Sequence, residues 1–131
     1  MTPRKPARTV RGTPGDARAR REDGDLLMDR ASLGDLNDPR SRKVDAAIAV
    51  LAGIAYADAT CIALLGERSS SGDHSHAVQL LRQADPQAAS DLQTLISIKT
   101  QAQYGVAALN SDSATRAMRA ADRLGQRASE V

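Results

Sequence analysis

Apolar positions along the chain recur every three or four residues, and this pattern divides it into four or five helical stretches. The strongest runs from Val44 to Gly66. Val44, Ile48, Leu51, Ala55, Ile62 and Leu65 fall on one face at helical period, interrupted by the polar Asp58, so a core helix is predicted here. Asp38 and Pro39 supply its N-cap and first turn, and Gly66 its stop. Upstream, Leu26, Leu27, Met28, Ala31 and Leu33 make a weaker stripe over 17–33 that ends at Gly34. Downstream, Asp73 or Ser75 caps a short helix to about Ala84, where Asp85 and Pro86 either end it or begin the next. Ser90 with Gln93 reads as a capping box for a third major helix, buried through Leu92, Leu95, Ile96, Ile98, Ala102, Val106 and Leu109. After a break at Asn110 to Asp112, Ala114, Ala117, Met118, Ala121 and Leu124 mark a last helix. No stretch alternates convincingly with period two, so the predicted fold is all-α, a bundle of four to five helices.

Composition sharpens this picture. The 131 residues fit one domain, and Phe and Trp are absent, leaving Tyr56 and Tyr104 as the two aromatics. A core of Ala, Leu, Ile and Val implies closely approaching helices. Pro3, Pro6, Pro14, Gly12 and Gly15 oppose a sustained helix at the N-terminus, so 1–15 is expected to be a disordered basic arm and 16–131 the helical domain. Residues 1–21 hold seven basic groups against Asp16, whereas the remaining chain holds eleven basic and fifteen acidic residues. Such an arm is either simply solvated or adds nonspecific attraction to phosphates. Cys61 stands alone with no CxxC pair, which fits a reducing cytoplasm. The basic N-terminus lacks the apolar segment of a signal peptide, and Asp45 and Asp58 bound the apolar run short of a membrane span. A soluble, cytoplasmic protein is expected.

Candidate chemistry gathers around the end of the long helix. Asp58 has Ile54 and Ile62 one turn before and after it, so a carboxylate there must find a cation or donors, or take up a proton. Lys99 and Arg68 are its candidate partners, either in a buried ion pair that fixes register or in a site where Asp58 orients a catalytic group. Arg68 and His74 bracket a polar loop, and His76 follows in the first turn of the next helix. An arginine can hold a phosphate while a histidine exchanges a proton near neutral pH, the minimum for cleaving RNA with its own 2′-hydroxyl. Surface residues or caps with the same spacing are the alternative. The two histidines lack the cysteines of a zinc spacing, and no metal or cofactor is implied. Phosphate-loop, dinucleotide, nucleophile-elbow and HExxH motifs are all missing. Arg116, Arg119, Arg123 and Arg127 could line one side of the last helix, but Asp112 and Asp122 dilute it and favour a solvated face.

The order of these features, ADATCIALLGERSSSGDHSHAVQLL followed by DLQTLISIKTQAQYGV and a final Arg/Ala-rich helix, resembles the HEPN superfamily of small helical bundles over about residues 40–128. The later element here is Lys99 to Tyr104. The resemblance implies a HEPN-like bundle that pairs as a homodimer, with Asp58, Arg68, His74, His76, Lys99 and Tyr104 as candidate binding residues. It implies one of two functions. The first is a noncatalytic interaction or nucleotide/RNA-binding module, partner to a toxin, nucleotidyltransferase or defence protein. The second is a metal-independent RNA endonuclease using Arg68 and His74. In many such nucleases the motif lies near the start of the last helix, whereas Arg68 and His74 precede the third major helix, which favours the noncatalytic module.

Overall fold

Helix α2, Pro39–Leu65, is the element around which the others pack. The computed structural model describes residues 9–70, 72–106 and 108–131, the side chains of Gln103 and Tyr104 excepted. In chain order the elements are β1 (Thr9–Arg11), α1 (Pro14–Ser32), α2, β2 (Glu67–Ser69), α3 (His74–Ala84), α4 (Pro86–Tyr104) and α5 (Ser111–Ser129). All four other helices touch α2. The all-α expectation holds at the level of a helical bundle, with one addition: β1 and β2 pair antiparallel, with Val10 opposite Arg68 and Arg11 opposite Glu67.

Local sequence chemistry sets most helix ends. Asp38 caps α2 through Arg40 N–H, and the chain leaves α2 at Gly66 with φ 74°, a left-handed conformation that glycine adopts without Cβ strain. α1 begins earlier than expected because Thr13 and Asp16 form a reciprocal capping box around Pro14. Thus 9–15, expected in the disordered arm, form a strand and the start of a helix, while 1–8 lie outside the described residues. The expected Ser90 cap is also corrected. Asp85 caps α4 by accepting from Gln87 and Ala88 N–H, with Pro86 just inside the helix, so Ser90 already lies within it. That helix ends at Tyr104, leaving Val106 exposed, whereas Leu109 is buried from the α4–α5 connection.

The buried side of α2 differs from the one its larger residues suggest. Val44, Leu51 and Leu65 are exposed and Ile48 is half-buried, whereas Ala55 and Ile62 of the expected face are buried, together with Ala46, Ala49, Ala52, Ala57 and Ala59 outside it. Small side chains let neighbouring backbones approach, so the crowded faces of α2 are its alanine faces. A Cβ at Gly53 would overlap Leu95 of α4. The Tyr56 ring lies between two helices that have glycine where they meet it: a Cβ at Gly24 of α1 would sit 2.6 Å from the ring, and one at Gly125 of α5 2.9 Å. Leu81, Leu92, Leu95, Leu109 and Leu124 fill the larger spaces, each fully buried and contributing about 1.5–3 kcal/mol by leaving water. α2 is long and apolar enough to cross a membrane, yet 61% of its most apolar window is buried inside the bundle.

Candidate functional site

The β1–β2 ribbon closes over the junction of α1 with the C-terminal end of α2 and leaves a cleft of about 320 Å³. Arg11, Arg20, Arg68, Asp16 and Asp23 line it, with Val10 and Ile62 as its apolar wall. Gly12 N–H donates to the Gly66 carbonyl at 3.0 Å, which ties the start of α1 to the end of α2 and fixes the ribbon across both.

Asp58 lies beneath this arrangement with its side chain 15% exposed. Its partner is Arg20 of α1, whose Nε donates to Asp58 Oδ2 at 3.1 Å, a position the sequence did not nominate. Arg20 Nη1 also reaches Asp23 Oδ2 at 3.3 Å. Burial pushes the Asp58 carboxyl up from its ordinary range, against the opposing pull of the Arg20 hydrogen bond and charge and then of Arg68. Asp16 is shifted down, first by hydrogen bonds from the Thr13 backbone and side chain and to a smaller degree by the charge of Arg68. Arg68, one of the two expected partners of Asp58, therefore acts on it through charge while Arg20 supplies the bond. Lys99, the other, is half-buried on α4.

The remaining expected residues spread over separate surfaces. Successive side chains leave opposite faces of a strand, so Arg68 turns into the cleft while Ser69 turns toward α3. There the Ser69 hydroxyl and His76 Nδ1 are hydrogen-bonded at 3.0 Å. His74 is the first residue of α3, after the N-cap Asp73, and neither histidine lines the cleft. Tyr104 closes α4, and its side chain lies outside the described residues. Arg20, Arg68 and Asp16 thus line one cleft with Asp58 bonded to Arg20 beneath it, and neither histidine is among the described lining residues. Arg20 is the residue sequence reasoning missed. A helical partner 38 positions upstream carries no local signal.

Two other candidates become explicable. Burial pushes the Cys61 thiol up to about 12, with smaller contributions from the charges of Asp58 and Glu67, so the buried thiol stays protonated at neutral pH. Among the described residues no group of three or more His, Cys, Asp or Glu side chains is arranged to hold a metal. On α5, two arginines expected on a solvated face reach carboxylates of α4's N-terminal half: Arg123 Nη2 lies 2.8 Å from Asp91, and Arg127 Nη1 lies 2.8 Å from Asp85. No protein-family model and no curated protein sequence matches the chain.

Proposed function

We propose that this chain is a noncatalytic, HEPN-like interaction module of the cytoplasm, acting as a homodimer and engaging a protein of the toxin, nucleotidyltransferase or defence class. The observation that carries it is that Arg68 lines the cleft beside two aspartates whereas neither histidine does, His76 being hydrogen-bonded to Ser69. Cleavage of RNA by its own 2′-hydroxyl needs a proton acceptor within hydrogen-bond reach of that hydroxyl and a cation on the same phosphate. Here the cation faces Asp16 and Asp58, one histidine is engaged by Ser69, and the other stands at the start of α3 outside the cleft. A phosphate entering the cleft would meet Asp16 and Asp23 beside the arginines. Arg68 Nη1 donates to the Ser69 carbonyl at 3.3 Å, and its charge acts on Asp16 and Asp58.

The test compares unfolding of Arg68→Ala with that of His74→Ala. Removing Arg68, which donates to the Ser69 carbonyl and whose charge acts on Asp16 and Asp58, is expected to lower stability by about 1 kcal/mol. His74→Ala stays within about 0.5 kcal/mol of the parent. An Arg68→Ala protein as stable as the parent, or more so, contradicts the structural role given to Arg68.

A further inference from the structure

We infer that the exposed side of α2 around Val44, together with Ala102, Val106 and Ala108 beside it, is a docking groove for an amphipathic helix of a partner protein, apolar on one face and acidic at its flanks. This rests on the proposed role as an interaction module and gives that role a surface and a partner chemistry. Val44 and Leu51 are 58% and 45% exposed, with half-buried Ile48 between them. Their i, i+4, i+7 spacing puts them in one stripe of about 10 Å at 1.5 Å per residue, the length of two helical turns. The stripe has the periodicity of a core face, and no element among the described residues covers it. At its N-terminal end a groove of about 540 Å³ opens between Val44, Ala102 and Val106, with Arg40 and Lys43 on its rim. A space of that size accepts a large apolar side chain, and Val106 stands fully exposed at its edge. Apolar anchors spaced along one helix face are what a helix-in-groove contact requires.

Charge selects the occupant. The described lining residues include two cations and no carboxylate. Residues 1–8 of the same chain carry Arg4, Lys5 and Arg8 and no acidic group, so they would bring like charge to the rim. A second copy meeting this patch through the same patch would supply no carboxylate either. A partner helix with Glu or Asp beside its apolar stripe pairs with Arg40 and Lys43 while its anchors cover Val44, Ile48 and Leu51.

The test uses the full chain and a labelled synthetic helical peptide with Leu at i, i+3 and i+7 and Glu at the flanking positions, followed by fluorescence anisotropy. A second peptide carries Lys in place of each Glu. Saturable binding of the acidic peptide is expected, weakened about tenfold or more in Val44→Asp and in the Arg40→Glu, Lys43→Glu pair, with no binding of the basic peptide. All three substituted positions lie at the surface of α2, and circular dichroism verifies that the variants stay helical. Absence of saturable binding, equal binding by parent and variants, or equal binding of both peptides overturns the inference. So does a dimer seen by sedimentation in the parent and lost in Val44→Asp, because a second copy would then own the groove. RNA cleavage by the parent would defeat the noncatalytic function but leave the peptide result standing, so the two failures are distinguishable.

Discussion

Arg20 Nε donates to Asp58 Oδ2 at 3.1 Å, and this bond joins the first helix of the bundle to its central one beneath the β-ribbon. Removing Arg20 leaves a mostly buried carboxylate without its strongest donor. Arg20→Ala is expected to lose about 1–2 kcal/mol, a figure reduced for the 35% exposure of the arginine. In a double-mutant cycle with Asp58→Ala the two losses should fall short of additivity by about 0.5–2 kcal/mol. Urea unfolding checks this, and strict additivity would mean that the pair is not coupled.

The same carboxylate sets a pH dependence. Burial raises the Asp58 pKa in the folded state, so the folded protein holds that proton more tightly than the unfolded chain does. Its contribution is therefore fully present below the unfolded value near 3.8 and is lost as pH rises through the raised folded value. The stability of the parent relative to Asp58→Asn should fall as pH climbs through that window. Unfolding curves measured from acid to neutral pH would show the opposite slope if Arg20 and Arg68 outweighed burial.

Tyr56 supplies a prediction whose sign reverses with context. Its hydroxyl donates to Asp25 at 2.6 Å, and its ring has Gly24 on one side and Gly125 on the other, so it has no room to shift away from an added methyl. Gly24→Ala and Gly125→Ala should each destabilise by about 1–2 kcal/mol, because overpacking exceeds the gain in helix propensity of about 1 kcal/mol. In a Tyr56→Ala background the same substitutions should become neutral or stabilising. Thermal unfolding of the four variants tests the reversal.

Asp85 holds two roles that substitutions can separate. It caps α4 through Gln87 and Ala88 N–H and receives Arg127 from α5. Asp85→Asn keeps a capping oxygen and loses the charge, whereas Asp85→Ala loses both. The alanine variant should be less stable than the asparagine variant by about 0.5–1.5 kcal/mol, the usual value of a cap. Equal losses would assign the whole effect to Arg127.

Which parts of this structure were legible in the sequence follows from how local each cause is. Asp38 with Pro39, Asp73 and Gly66 mark helix ends because a cap is made by residues two or three apart. The signal at Thr13, Pro14 and Asp16 was equally present, obscured by the glycines and prolines around it. Ser90 lost its expected role because Asp85, five residues earlier, already satisfied the first turn of α4. The facing of α2 was misjudged by weighting residue size: in an alanine-rich helix the tightest contacts bury Ala49 and Ala52 and leave Val44 and Leu51 outside. The three-residue strands are too short to alternate visibly, and β1 finds its partner across the whole of α1 and α2. Asp58 was identifiable as a carboxylate needing a partner, but Arg20 was not, since only the packing of α1 on α2 brings it there. The spacing of Arg68 and His74 suggests one site, whereas Arg68 lies on β2 and lines the cleft and His74 opens α3 without lining it.

The noncatalytic assignment is tested most directly by incubating the parent, Arg68→Ala and His74→Ala, each in molar excess, with structured and single-stranded RNA in EDTA and resolving the products by electrophoresis. The account predicts intact RNA in every lane. Cleavage by the parent that both substitutions abolish would contradict it, because Arg68 and His74 would then act together on one phosphate.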